Sequence, residues 1–218
     1  SPLASAFSVL FLYFIIVQLV NHWRGKIETN TDALVAFGAG IVGSLTFAFT
    51  DSHWFNAVEA EVYAFSTFFT AIVVWLALLW SEKANEKGNE RYILIIAYMI
   101  GLATGLHLLN LLTIPFVALL IYFKKYKFEW TSFSILVIVT GFVFFIIHNV
   151  IIKGMPKIAD AIGVSATALL VITIFASMVW AILNHKQILS IVLTSIVLVL
   201  IGYSTYAMIF IRSNQNPG

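Results

Sequence analysis

An all-α bundle of membrane-spanning helices is the fold class this sequence predicts, and three observations predict it. Of 218 residues, 61% are hydrophobic and only 10% charged, which is more apolar surface than a soluble domain of this length can bury. The apolar residues fall into runs, most of them of about 20, the length that crosses a hydrocarbon core of ~30 Å. Lysines and arginines gather in the short connections between runs, the bias that orients such helices. A mean hydropathy of +0.99 agrees.

Taken in order, the candidate segments are Pro2 to Trp23, Ala33 to Thr50, Phe55 to Trp80, Tyr92 to Leu106, Leu111 to Phe123, Trp130 to Ile152, Val164 to Leu183 and Gln187 to Ile211. The fourth and fifth are short. Fused into one helix from Tyr92 to Phe123 they would run to about 48 Å at ~1.5 Å per residue, far beyond the bilayer core. A break between His107 and Pro115 turns them into a hairpin instead. Charge favours the hairpin. It puts Arg24, Lys26, Lys83, Lys87, Arg91, Lys124, Lys125, Lys127 and Lys186, nine of the twelve basic residues, on one side, leaving Lys153, Lys157 and Arg212 on the other. The loop from Ser81 to Arg91 reads as a solvated connection on the basic side. The whole of 1–218 reads as one transmembrane domain. It opens Ser1-Pro2 on an apolar run with neither an initiator Met nor a basic leader, so it is read as a piece of a longer protein rather than as a signal peptide and mature chain.

Composition also excludes functions. A net charge of +2, with basic residues scattered through loops, makes nucleic acid an unsuitable partner. The absence of cysteine excludes disulfides and thiolate metal sites. Gly38-Ala39-Gly40-Ile41-Val42-Gly43 spells a dinucleotide fingerprint, but it sits inside an apolar run with no preceding strand, so close helix packing through small residues is the better reading. Gly101 and Gly105 carry the same small-residue spacing. His148, beside Asn149, is read as a packing histidine, and His22 and His185 as interfacial.

The segment from Thr50 to Ala64 is where function is expected. Asp51, His53, Trp54, Glu59, Glu61 and Tyr63 crowd the point at which an apolar run begins, and ionisable groups there usually face a cavity or a partner rather than lipid. Glu59 and Glu61, two residues apart, would point about 200° from each other on a regular helix. Both reach one cavity only if the chain is irregular there. A structural ion pair with Lys153, Lys157 or Arg212 is the alternative. Thr104, His107 and Asn110 recur every three residues and form a polar stripe that either bonds neighbouring helices or lines a site. A carboxylate pair at the rim of a lipid-facing cavity is suited to hold a divalent cation, Mg or Mn, or to act as a general base. An arginine such as Arg212 is suited to pair with phosphate through its planar fork.

Three stretches carry a resemblance. Asp51-Ser52-His53-Trp54-Phe55-Asn56-Ala57-Val58-Glu59-Ala60-Glu61-Val62-Tyr63, then Gly101 through His107 and Asn110 to Pro115, then Arg212 to Pro217, together resemble the bacterial multi-pass family formerly filed as domain of unknown function 2723. That family is similar to an animal protein O-mannosyltransferase and belongs to the GT-C membrane glycosyltransferases. The resemblance implies a GT-C-like fold and sugar transfer, with mannose one candidate, from a polyprenyl-phosphate donor to Ser or Thr hydroxyls of exported proteins. It also implies a location in the bacterial inner membrane with the site on the outer face. By the same resemblance Glu59 and Glu61 match the acidic pair of an outer loop and would be catalytic, and together hold a metal. Asp51, His53, Trp54, Tyr63, His107, Asn110 and Arg212 would bind substrate. The fold's leading acidic residue would precede Ser1, so transfer by this piece alone is not expected. Two other readings stand beside it: a transporter or lipid flippase with an intramembrane acidic path, and a noncatalytic scaffold.

Overall fold

A computed structural model describes residues 2–59, 62–152, 154, 157 and 161–206. Among these there are helices and no strands, and seven helical stretches are long and apolar enough to cross a membrane. Helix α1 spans Pro2–Arg24, with proline in its first turn, where a missing N–H costs nothing, and Gly25 at φ +99° just past its end. Helix α2, Asn30–Ala48, starts on a reciprocal cap: Thr29 Oγ1 accepts from the Asp32 N–H at 3.2 Å, and Asp32 accepts from the Thr29 N–H at 3.1 Å. Arg24 lies 3.8 Å from Asp32 across this turn.

The third apolar segment does not form one helix from Phe55 to Trp80. It divides into a short α3, Asp51–Val58, and a long α4, Tyr63–Glu82. Thr50 caps α3 by accepting from the His53 N–H, and Glu59 ends it in an extended conformation with ψ 147°. Two acids and the Thr50 cap favour a terminus over a helix interior, which is why the apolar count alone ran the segment together.

Helix α5, Glu90–Leu106, stops at His107, whose φ of −151° and ψ of 123° are extended. A 3₁₀ turn over Leu108–Leu112 then leads into α6, Thr113–Lys125. Pro115 falls in the first turn of α6, where it lacks no helical hydrogen bond, whereas in a continuous helix it would remove one. The expected hairpin is present. Ile93 near the start of α5 lines the same small gap as Trp80 at the end of α4 and Leu120 and Ile121 near the end of α6. Lys125 stands 5.5 Å over the Trp80 ring. Helix α7, Trp130–Ile146, runs on into a π-helical segment, Ile147–Ile152, and α8, Val164–Leu183, and α9, Gln187–Ser204, complete the bundle.

Packing gives the bundle two distinct ends. Phe7 meets Phe68 and Phe11 meets Trp75, at ring separations of 6.1 and 5.1 Å, so α1 and α4 run parallel. Val73, Leu76 and Ala77 of α4 bury against Ile96 and Ile100 of α5 and Leu111 of the turn. Helices α5 and α9 cross so closely that a Cβ on Gly101 would stand 2.5 Å from the Val199 carbonyl oxygen, and one on Gly202 would stand 2.6 Å from the Leu102 nitrogen. Small residues permit such backbone approach in the absence of a hydrophobic drive between helices. The Gly40 and Gly43 pair does the same for α1 against α2, with Tyr13 and Ile16 within 2.7 and 2.6 Å of the missing Cβ atoms. Packing therefore accounts for these glycines. One end collects the C-termini of α1, α4 and α6 with their lysines and arginines. The other collects the N-termini of α1 and α4, helix α3 and the His107 turn.

Candidate functional site

The lysine-poor end holds Asp51, His53, Trp54, Glu59, Tyr63, His107 and Asn110, the described residues among the site residues singled out from sequence. Asp51 sits exposed in the first turn of α3, where a negative charge complements the helix dipole. His53, two residues on, turns inward. It is 6% exposed, and its ring lies 4.5 Å from that of Phe47 and close to the Ser5 backbone. Burial holds its imidazole below the ordinary range, and the Ser5 backbone contact opposes this only in part. Trp54, by contrast, is 59% exposed, and Phe55 and Val58 are exposed with it. Alternation of an inward His53 with outward aromatics follows from a helix lying over the ends of α1 and α4 with one face covered.

Glu59 is exposed on the extended residue that ends α3, so the irregular backbone that a shared acidic cavity requires begins here. Glu61 lies outside the described residues, as do Lys153 and Arg212. Among the described residues the one ion pair is Arg24–Asp32 at the opposite end, so Lys157 does not pair with Glu59. No three His, Asp or Glu side chains among the described residues converge on a metal-sized point.

Across from α3, the Tyr63 ring packs 5.5 Å from the His107 ring, which joins the first turn of α4 to the hairpin bend. His107 Nδ1 accepts from the Leu109 N–H at 3.3 Å. In the neutral imidazole that bond puts the proton on Nε2. Asn110 is 2% exposed and faces inward. Its Oδ1 accepts from Ser66 Oγ at 3.1 Å and Thr70 Oγ1 at 3.0 Å, and its Nδ2 donates to the Ala103 and His107 carbonyls at 3.3 and 3.1 Å. Thr104, also buried, donates to the Ile100 carbonyl. The amide of Asn110 thus clamps the bend to α4 with all of its bonds made inside the protein. Ser66 and Thr70 were missed in the sequence, although four residues apart they share a helix face, the one signal that could have found them. His148 stacks on Phe144 at 6.2 Å, in keeping with a packing role.

Fold and site together define a multi-pass helical membrane protein with a polar and aromatic cluster on the end opposite its lysines. The family model for the protein O-mannosyl-transferase TMEM260 N-terminal domain matches residues 1–130, more than half of the chain. The chain belongs to this family. No curated protein and no solved structure matches it. The match takes in α1 to α6 and every candidate residue except Arg212, and membership supports a glycosyltransferase activity of the O-mannosyl-transferring kind.

Proposed function

We propose that the protein acts in transfer of a sugar, mannose in the first instance, from a polyprenyl-phosphate carrier to Ser or Thr hydroxyls of exported polypeptides. The reading places it in a bacterial inner membrane with a GT-C-like fold and with α3 and the His107 bend on the outer face. The observation that carries it is the family match over residues 1–130. It is supported by the grouping of Asp51, Trp54, Glu59, Tyr63 and His107 at one end, away from the basic loops, which the charge bias assigns to the inside.

In this reading the acceptor hydroxyl oxygen attacks the anomeric carbon of the sugar. The new C–O bond forms as the bond from that carbon to the phosphate oxygen breaks, and the lipid phosphate leaves. Glu59 or Glu61 takes the hydroxyl proton. Trp54 and Tyr63 offer aromatic faces to the sugar ring, and the Nε2–H of His107 and the guanidinium of Arg212 meet phosphate oxygens. A divalent cation, Mg or Mn, would sit on Glu59 and Glu61 and offset the phosphate charge. Asn110 and His53 act one layer back, holding the bend and seating α3.

The test is to incubate the full-length protein with a panel of polyprenyl-phosphate sugars and a Ser/Thr-containing peptide, with and without Mg²⁺ or Mn²⁺, and to follow the peptide by mass spectrometry. Addition of one hexose from a single donor is the expected result. An unmodified peptide with every donor, from protein that remains folded, overturns the reading.

A further inference from the structure

We infer that the cleft between α6 and α7 is a binding site for one bilayer phospholipid with an anionic head group, whose head lies at the basic end. This does not rest on sugar transfer, and the site is separate from the α3 region, which lies at the other end of the bundle.

The cleft has a volume of about 300 Å³ and is lined along α6 from Ile114 and Ala118 to Tyr122, by Tyr126 just beyond, and along α7 from Leu136 to Val143. At roughly 30 Å³ per water-sized unit that is room for ~10 such units, enough for a stretch of hydrocarbon chain. One turn of a helix ~10 Å across, with a pitch of ~5.4 Å, would need about 420 Å³, more than the cleft offers. Helix α7 has no buried residue, so the cleft opens sideways to the bilayer. Apart from Thr140 and the two tyrosines its lining is aliphatic.

Charge decides the kind of lipid. Tyr126 lines the basic end of the cleft. Around it in sequence stand Lys124, Lys125 and Lys127, all exposed, none in an ion pair among the described residues, with Lys125 over Trp80. The loop that carries Lys127 is a built structure. The Tyr122 hydroxyl lies 2.6 Å from Ser132 Oγ, accepts from the Glu129 N–H at 3.1 Å and approaches the Lys127 carbonyl at 3.4 Å. With Lys125 turned to the Trp80 ring, Lys124 and Lys127 outweigh the single acid in this loop, the exposed Glu129. An apolar slot ending in a phenol, with exposed ammonium groups on the residues around it in sequence, is complementary to an acyl chain ending in a phosphate.

The purified protein in detergent is titrated with dioleoyl phosphatidylglycerol and, separately, dioleoyl phosphatidylcholine, and bound lipid is counted by native mass spectrometry. One phosphatidylglycerol should bind roughly 25-fold more tightly than phosphatidylcholine, at about five-fold per lysine for Lys124 and Lys127. The double variant Lys124→Gln, Lys127→Gln should bind both lipids alike. Ala118→Trp should weaken both, and Val139→Trp repeats this from α7 should Ala118→Trp lose native helicity by circular dichroism. Lys87→Gln, in the α4–α5 loop, should change nothing. Equal affinity of the wild-type protein for the two lipids overturns the proposal. So does tight phosphatidylglycerol binding by a folded tryptophan variant, or a loss with Lys87→Gln as large as that with the double variant.

Discussion

Residues 51–59 and residues 107–113 lie at the same end of the bundle and share imidazole, amide and hydroxyl groups, the first segment adding two acids, yet they use them in opposite directions. In the hairpin bend the polar atoms turn inward. Asn110 spends its whole amide on Ser66, Thr70 and two backbone carbonyls, and the Thr113 hydroxyl donates to the Asn110 carbonyl at 2.6 Å. In α3 only His53 turns inward, while Asp51, Trp54 and Glu59 face out. A broken helix near a bilayer leaves backbone groups that must be bonded within the protein, so the bend needs its polar residues for itself. The α3 segment has capped ends and few such debts. Its Asp51, Trp54 and Glu59 side chains stay exposed, and His107, at the junction, is half-buried and bonded to the bend while its ring packs on Tyr63.

If this division is right, substitutions in the two segments separate activity from stability. The largest effect belongs to the acids: Glu59→Gln or Glu61→Gln in the full-length protein should lower sugar transfer ~10²- to 10⁴-fold, while Glu59→Gln, at an exposed position, should change stability by no more than about 0.5 kcal/mol. Mass-spectrometric transfer rates and thermal unfolding in detergent read the two quantities. Wild-type rates in both variants would reduce the outward segment to a surface feature.

Next comes the inward segment. Asn110→Leu strands the hydroxyls of Ser66 and Thr70 and two carbonyls, and should cost about 2 kcal/mol of stability. A denaturation midpoint equal to that of the wild type would mean that the clamp does not hold the bend. Smaller again is His107→Ala, which leaves the Leu109 N–H without its acceptor and removes the ring packed on Tyr63. It should cost about 1 kcal/mol and also lower transfer. Loss of stability with unchanged transfer would assign His107 wholly to the bend.

The smallest effect concerns His53. Burial lowers its folded-state pKa beneath the ordinary 6.5, so below about pH 6.5 the unfolded chain takes up a proton that the folded protein resists. Its contribution is therefore complete above that pH and is lost as pH falls towards the folded-state pKa. The melting temperature should drop slightly between about pH 7.5 and pH 5.5, and His53→Gln should flatten that difference. An identical slope in the variant would place the acid sensitivity elsewhere.

Much of this was legible in the residues. The all-α membrane class follows from composition and run length, and the two ends follow from the lysines and arginines, because each depends on local content alone. The break between His107 and Pro115 was equally local, since a proline at that place cannot serve a continuous helix. The division of the third segment at Glu59 was not. An apolar count averages over 20 residues and does not register a single cap, although Thr50 and the two acids were there to be read.

Which polar residues face inward was decided by the tertiary structure. Asn110 finds Ser66 and Thr70 across 44 and 40 residues of chain, and Gly101 finds the α9 backbone across nearly a hundred. In helices that are apolar on every side, periodicity does not distinguish a lipid-facing position from a helix-facing one. Sequence alone therefore determined the all-α class, the bilayer as solvent and the break at the hairpin bend, and counted eight apolar segments where seven stretches among the described residues are long enough to cross, α5 at 17 residues being the short one. Partners distant in the chain determined the rest, because a polar group in a membrane is defined by what bonds it.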